Sequence, residues 1–301
     1  MTRWLSLLVT CVIGLSEVAA QQPPARLTVR PSSPTPGSVV RITFKADRDS
    51  ITSLTGEIGD QALHFRKYGA EWRALGGVSV DAMTTRVRVV AERSSGTTDT
   101  TTVLLTPPPR RAGTSRPSRL SVSSRFTRPL DSATQARIDR ENEMAREVGR
   151  RAHLSPARWT TSFLKPRTSR VTSNFGTGRT FNGTVTSRHL GVDFSGGIGA
   201  PVRAANRGVV ALVDTFFLAG RVIYIDHGGG VVTGYFHLSK TLVETGDTVE
   251  RGQEIGLIGA TGRVTGPHLH WTARYGPLTV NPLDLVLIGD DWYSGPSASG
   301  P

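Results

Sequence analysis

The chain has 301 residues, of which 37% are hydrophobic, with 33 glycines and 18 prolines. It is long enough to bury a core in one large or two ordinary domains, and its composition favours a β-rich protein with many turns. The net charge of +12 would attract it to an anionic cell wall, a membrane surface or nucleic acid. Arginine supplies most of this excess, however, and no basic stretch is interleaved with aromatic residues, so we expect no nucleic-acid partner.

Residues 1–20 are predicted to be a signal peptide. Arg3 gives a positive start, an apolar run covers residues 4–15, and small residues at positions 18–20 form an export cleavage site. The run is shorter than the ~20 residues that a spanning helix needs, so we expect cleavage rather than an uncleaved anchor. The mature protein is then exported to the periplasm, cell envelope or extracellular space, with no stable membrane insertion.

The single cysteine, Cys11, lies inside the apolar run of the signal peptide. Leu8, Val9 and Thr10 precede it instead of small residues, which argues against a lipoprotein anchor. The mature chain has no thiol, so it forms no disulfide and uses no cysteine as nucleophile or metal ligand.

Residues 21–106 are predicted to form a β-sandwich of immunoglobulin-like type. Val40, Ile42 and Phe44 alternate with polar residues, and turn clusters such as SSPTPG and RSSGTTD separate the apolar runs. Trp72 is expected to lie in its core, and His64 is given no functional partner.

The next two segments connect this sandwich to the rest of the chain. Residues 107–129 combine proline, serine and arginine without apolar periodicity, which predicts an extended linker. Residues 130–152 are predicted to be a helix, which Ser132 and Gln135 open as a capping box, with a thin apolar stripe of Ile138, Ala145 and Val148.

Residues 153–290 are predicted to form a second β domain, which makes the whole chain all-β apart from the helix. Short β runs with glycine turns, among them RVIYIDHG, GVVTGYFHL and HLHWTARY, continue for over a hundred residues without a helical period. Residues 291–301 are expected to be a disordered tail.

Most of the histidines fall in this second β domain. His189 and Asp193 are four residues apart in RHLGVD, and a bend at the intervening glycine would bring them together. His268 and His270 alternate on one strand and therefore share a face. Together with His189 and Asp193, one imidazole of this pair would complete a set of two nitrogen ligands and one oxygen ligand. Such a set suits zinc with an open fourth position for water. A further histidine beside the metal would take a proton or stabilise an oxyanion.

Several segments of this domain resemble those of the lysostaphin-type, or LytM-type, zinc metallopeptidases that cut peptidoglycan. The resemblance covers roughly residues 163–282, and its motifs are RHLGVDFSGGIGAPVRAANRGVV, YFHLS, VETGDTVERGQEIGLIGATG and TGPHLHW. It implies an open antiparallel β-sheet, related to barrel-sandwich folds, as the catalytic domain. The first domain is similar to the β-sandwich that precedes some members of this family.

The same resemblance implies a role for each residue of the site. His189, Asp193 and His270 would bind one Zn²⁺ per chain, with His268 as general base and His237 as stabiliser of the tetrahedral intermediate. SNFGTGR is similar to the lead-in strand of the family, so Asn174 and Arg179 are expected to line the cleft without a metal role.

The leading hypothesis is therefore an exported zinc endopeptidase that cuts peptidoglycan cross-links or stem peptides, and we expect a monomer. One alternative is a catalytically silent or latent regulator that binds the wall and activates another hydrolase, because the family includes degenerate members. Another is a wall-binding scaffold in which zinc is structural. The bond that is cut, an inhibitory role for residues 107–152 and a regulatory protein partner all stay open.

Two other interpretations are rejected. His227 begins HGGG, a string also found in the oxyanion loops of α/β-hydrolases, but the chain has no GxSxG elbow, so these glycines are predicted to form a hairpin turn. GDTVERGQEIGLIG is similar to biotinyl and lipoyl carriers, yet this segment contains no lysine for modification.

Overall fold

The computed structural model describes residues 26–46, 51–108, 117–183 and 185–293. The predicted signal peptide and residues 294–301 of the predicted tail lie outside the described residues. Strands dominate the described part of the chain, which confirms the all-β prediction. No helix within these ranges combines the length and apolar character that crossing a membrane requires.

The first eight strands form two antiparallel sheets packed face to face. Their orders are β1-β2-β6-β5 and β4-β3-β7-β8. Ile42 of one sheet and Ile58 of the other meet across Gly76, and both isoleucines are fully buried. Strand β7 alternates buried and exposed residues along most of its length, as a half-buried strand should. The strands are β1 (Leu27–Arg30), β2 (Val39–Lys45), β3 (Ile51–Ile58), β4 (Gln61–Ala62), β5 (Arg66–Tyr68), β6 (Glu71–Gly77), β7 (Thr85–Arg93) and β8 (Thr98–Leu105).

The predicted linker contributes a strand to the second half of the molecule. Strand β9 (Ser118–Leu120) pairs in parallel with β11 (Gly178–Phe181), and a 3-10 turn follows at Ser124–Phe126. Asn182 fastens this segment, because its side chain accepts from the N–H of Val122 and donates to the carbonyl of Val122, both at 2.9 Å. This part of the linker is therefore built into a sheet instead of extending freely between domains.

Helix α1 (Ser132–Ala152) lies where the sequence predicts a helix, but its cap differs. Asp131 is the N-cap, and its carboxylate accepts from the N–H of Thr134 at 2.6 Å. Asp131 therefore caps the helix one residue before the predicted Ser132, because an aspartate carboxylate is as good an N-cap acceptor as a serine hydroxyl.

Helix α1 packs on the second β domain through its predicted apolar stripe. Ile138, Ala145 and Val148 are buried. Gly149 permits the closest approach, because a Cβ there would lie 1.9 Å from the carbonyl oxygen of Gly276. Glu141 is buried as well, and its carboxylate accepts from the N–H of Phe217 at 2.8 Å.

A large antiparallel sheet forms the second β domain. Its order is β10-β13-β20-β17-β16-β15-β18. In addition, β19 pairs with β17 and with β14, and β21 pairs with β20. Strands β12, β11 and β9 form a separate three-stranded sheet. The remaining elements are β10 (Val171–Ser173), β12 (Val185–Arg188), β13 (Val192–Ser195), β14 (Pro201–Arg203), β15 (Gly208–Phe216), β16 (Gly220–Gly228), β17 (Val231–Thr241), β18 (Thr248–Val249), β19 (Glu254–Ile258), β20 (His268–Tyr275), β21 (Leu278–Val280), α2 (Pro282–Leu287) and α3 (Asp290–Tyr293).

The beginning of the predicted disordered tail is ordered. Helix α3 includes residues 291–293, and Tyr293 is buried with its ring edge-on to Trp159 at 5.2 Å. The aromatic ring of Tyr293 supplies apolar surface for packing, whereas the residues that follow it in the sequence are small or polar.

The sandwich is docked on the second β domain through hydrogen bonds that link distant parts of the chain. The hydroxyl of Tyr275 donates to the carbonyl of Ala62 at 2.6 Å. The backbone N–H of Val39 donates to the carboxylate of Asp284 at 2.9 Å. The two halves therefore share buried polar contacts as well as the apolar core that joins them.

Two histidines meet at this interface. His64 Nε2 lies 2.8 Å from His153 Nδ1, and His153 Nε2 lies 3.2 Å from Gln61 Oε1. The Gln61 oxygen can only accept, so His153 donates to it and its Nδ1 accepts from His64. Burial lowers the pKa of His64, and burial together with His64 lowers the pKa of His153 to about 4. His64, which the sequence left without a partner, thus belongs to a neutral histidine pair.

This pair predicts a loss of stability in mild acid. The folded-state pKa values lie below the unfolded value of about 6.5, so the stabilising contribution is present above pH 6.5 and is lost as the pH falls toward 4. Thermal unfolding of the native protein and a His153→Gln variant between pH 7.5 and 4.5 measures this effect. The melting temperature of the variant should fall less steeply.

Other buried histidines titrate in both proteins, so the difference between the two pH profiles isolates the pair. Parallel profiles would contradict the prediction.

Candidate metal centre

Three side chains from two parts of the chain converge on one point. His189 Nε2 lies 2.8 Å from His270 Nδ1 and 3.0 Å from Asp193 Oδ1. His270 Nδ1 lies 2.7 Å from the same Asp193 oxygen. His189 is 2% exposed and Asp193 is 6% exposed, so the donors face inward rather than into solvent. The structure brings together the three residues that the sequence selects as candidate ligands.

Strand register produces this convergence. Strand β13 pairs with β20 so that Asp193 stands opposite His270 and Ser195 stands opposite His268. The side chains of such a pair lie on the same face of the sheet, which brings the carboxylate against the imidazole. Gly191 has to be small, because a Cβ there would lie 2.6 Å from Cε1 of His270.

The hydrogen-bond pattern leaves lone pairs facing each other. His189 Nδ1 lies 3.0 Å from the carbonyl oxygen of Asn174, which can only accept, so this nitrogen carries a proton and the neutral imidazole has its lone pair on Nε2. The Nε2 lone pair then faces the Asp193 carboxylate at 3.0 Å, where neither atom can donate. A proton on Nε2 or a metal cation resolves this conflict, and two imidazole nitrogens with one carboxylate oxygen form a donor set that fits zinc.

Arg179 holds the other oxygen of the aspartate. Its guanidinium donates to Asp193 Oδ2 and, at 3.1 Å, to the hydroxyl of Ser173. Burial raises the pKa of Asp193, but contacts with His189 and His270 outweigh burial and hold that pKa well below its usual range. The carboxylate is therefore ionised, with one oxygen for the histidine cluster and one for Arg179.

The two remaining predicted site residues flank this cluster. The ring centroids of His237 and His268 are 4.9 Å apart, and His268 Nε2 lies 3.7 Å from Asp193 Oδ1. His237 Nδ1 donates to the carbonyl of Thr261 at 2.8 Å, and His268 Nδ1 donates to the carbonyl of Gly266 at 2.9 Å. Each imidazole therefore keeps Nε2 available for chemistry.

His237 adopts an unusual backbone conformation to reach this position. Its φ of 64° is rare for a residue with a side chain, and such strain is concentrated at functional sites. The N–H of His237 donates to the carbonyl of Ala219 at 3.0 Å, which holds the conformation. Burial, reinforced by His268 and His270, lowers the pKa of His237 well below its usual value.

A cavity of about 380 Å³ opens beside these residues. Asp193, His237 and His268 line one side of it, and the loop from Arg263 to Pro267 lines another. Strand β9 of the predicted linker contributes Ser118 and Leu120 to the wall. A substrate in this cavity would therefore contact Asp193 of the cluster together with His237 and His268.

His227 lies apart from this arrangement. It is fully buried, and its ring nitrogens are 2.8 Å from the carbonyl of Arg207 and 2.8 Å from the hydroxyl of Thr233. The glycines that follow it form the turn between β16 and β17, as predicted. His227 is a core histidine with both nitrogens satisfied.

Sequence reasoning missed three features of the site. Arg179 was expected to line the cleft, which it does, but its ion pair with Asp193 was not predicted. Asn174 contributes its backbone carbonyl to His189 instead of a side chain to the cavity. The linker strand was missed altogether, because a three-residue strand leaves no periodic signal.

Comparisons with known proteins agree with this geometry. Residues 187–282 match the model of peptidase family M23. The chain is 49% identical over 105 residues to the peptidoglycan DD-endopeptidase ShyA of Vibrio cholerae, covering 34% of this chain and 24% of ShyA. It is 33% identical over 168 residues to ShyC, another peptidoglycan DD-endopeptidase of that organism, covering 56% of this chain and 36% of ShyC. The chain thus spans only a minor part of the length of these relatives.

A solved structure shares the fold of both halves of the molecule. The crystal structure of a putative peptidase M23 from Pseudomonas aeruginosa has a TM-score of 0.64, and the alignment covers 84% of this chain and 95% of that one at 24% identity. The family match over residues 187–282 confirms the resemblance that the histidine motifs indicate. Residues 187–282 of this chain therefore match a domain of peptidase family M23.

Proposed function

We propose that this protein is an exported zinc-dependent endopeptidase that hydrolyses peptide bonds in peptidoglycan cross-links or stem peptides. The observation that carries the proposal is the cluster of inward-facing lone pairs on His189, Asp193 and His270, beside an open cavity. The substrate class is supported by the relatives, which are named peptidoglycan DD-endopeptidases. The predicted signal peptide supports a location in the cell envelope.

Each residue then has a distinct task. Zinc held by His189, Asp193 and His270 would supply a water of lowered pKa and an electrophile for the scissile carbonyl. His268 Nε2 accepts a proton from the attacking water and delivers it to the leaving amine. His237 lies beside His268, with ring centroids 4.9 Å apart. Once its Nε2 has taken up a proton, this imidazole can donate to the oxyanion that develops on the substrate. Arg179 orients the Asp193 carboxylate by donating to its second oxygen.

The alternative of a silent regulator requires a defective site. His189, Asp193 and His270 converge on one point, His237 and His268 lie beside them, and a cavity adjoins them within the part of the chain that the structure describes. These observations favour catalysis over a purely regulatory or scaffolding role.

The first test concerns the proposed base. His268→Ala removes a proton acceptor but none of the three donors, so zinc content should stay at one per chain while cleavage falls by roughly 10²–10⁴-fold. Mass spectrometry of fragments released from purified peptidoglycan, with zinc measured in the same samples, records both effects. His189→Ala serves as the control that should lose metal and activity together.

A native protein that is folded and loaded with zinc, yet releases nothing from any wall type, would contradict the proposed activity. Undiminished cleavage by His268→Ala would leave the activity standing but remove His268 from its role.

The second test concerns the support of the aspartate. Arg179→Met leaves all three donors but removes the partner of Asp193 Oδ2, so zinc affinity should fall by roughly 10–100-fold, as for other residues that orient metal ligands. Competition with a chromophoric chelator measures the dissociation constant. Arg203→Met is a matched control, because Arg203 pairs with Glu254 at an exposed position. An unchanged affinity in Arg179→Met would show that Asp193 needs no such support.

A further inference from the structure

The cavity beside the metal-binding residues contains a cation without an anionic partner. Arg263 lines the cavity and is half-buried, with its guanidinium carbon 4.1 Å from the centre of the Phe181 ring. Among the described residues, no carboxylate pairs with this guanidinium and no side-chain hydrogen bond uses it. Other arginines of the domain behave differently, as Arg207 does by pairing with Glu250 at 3.0 Å.

The backbone fixes Arg263 in this position. Its N–H donates to the carbonyl of Leu218 at 2.8 Å. The neighbouring Thr261 hydroxyl donates to the carbonyl of Leu238 at 3.0 Å and accepts from the N–H of Arg221 at 2.9 Å. These hydrogen bonds tie the loop to strands β16 and β17, and the Phe181 ring packs against the guanidinium. A side chain placed in this way is preorganised for a ligand.

The charges around the cavity favour an anion. Arg179 and Arg263 both line it, whereas Asp193 is the only carboxylate among the described lining residues. Arg179 already uses that carboxylate. Burial, with the nearby Arg179, lowers the pKa of Arg263, because both disfavour the charged guanidinium. An anion bound next to this guanidinium would stabilise its charge.

We propose that Arg263 binds a free carboxylate of the peptide substrate and thereby selects peptides that carry a carboxylate close to the scissile bond. The planar fork of a guanidinium matches a carboxylate through two parallel hydrogen bonds. Arg263 shares its cavity with His268 and Asp193, so the recognised group lies near the bond that is cut. This inference rests on the proposed function and specifies its substrate class.

The experiment compares two cross-linked wall peptides that differ at one group, a free carboxylate in one and a carboxamide in the other, next to the scissile bond. Binding is measured first, by calorimetry on the zinc-loaded His268→Ala protein, so that cleavage does not interfere. The acid peptide should bind roughly tenfold more tightly than the amide peptide, as expected for a charge-assisted pair. Cleavage of both peptides by the protein with His268 intact is measured in parallel.

Substitutions of Arg263 test whether this side chain causes the preference for the acid peptide. Arg263→Gln should bring the two peptides to equal affinity, mainly by weakening binding of the acid peptide. Arg263→Lys keeps the charge without the fork and should retain part of the preference. Arg207→Gln removes an arginine that does not line the cavity and should leave the preference intact. Melting temperature and zinc content of each variant show that the fold is retained.

The outcomes separate this inference from the proposed activity. A preference for the acid that survives Arg263→Gln, or equal binding of both peptides by the protein with Arg263 intact, overturns the role of Arg263. A preference that depends on Arg263 but occurs without cleavage of either peptide supports the carboxylate site and overturns the endopeptidase. Equal loss of binding for both peptides in Arg263→Gln, with the fold retained, also overturns the role.

Discussion

The pairing of strands β13 and β20 is the constraint on which the site depends. Its register places Asp193 opposite His270, and the same alternation that turns His270 toward the cluster turns His268 toward it as well. A shift by one residue would send all of these side chains to the other face of the sheet. Leu269 and Trp271, which alternate with the two histidines on β20, oppose such a shift because they would have to leave the core. The same strand register therefore serves both the packing of the core and the geometry of the candidate metal centre.

The site residues that could be predicted share short, local spacings in the sequence, whereas the missed contacts join segments that are distant in the sequence. His189, Asp193 and the two histidines of the HLH motif carry unusual chemistry at short spacings, so their grouping was predictable. The contact between Arg179 and Asp193 depends on how the four-residue strand β11 approaches β13, and no local pattern encodes this approach. The alternation of apolar residues likewise predicted both β-rich halves. It could not predict that they dock on each other, because that contact relies on scattered single residues such as Tyr275.

Hydrogen bonds from ring nitrogens to backbone carbonyls recur around the site. Three of its histidines donate Nδ1–H to a carbonyl, and in each the other nitrogen points toward the cluster or the cavity. Backbone carbonyls cannot donate, so each bond fixes the tautomer as well as the orientation of the ring. Side-chain partners could change their own protonation or rotate, whereas these acceptors cannot. The protonation pattern of the site is thus set by the fold itself.

The strand that the linker contributes changes where the working unit of this protein begins. Strand β9 supplies Ser118 and Leu120 to the cavity wall, and Asn182 ties the residues after it to the three-stranded sheet. The region that matches peptidase family M23 starts about seventy residues later, at position 187. A transplant of that region alone into another protein would carry the proposed metal ligands but leave one side of the cavity behind. Recombination that keeps the cavity whole has to cut upstream of β9.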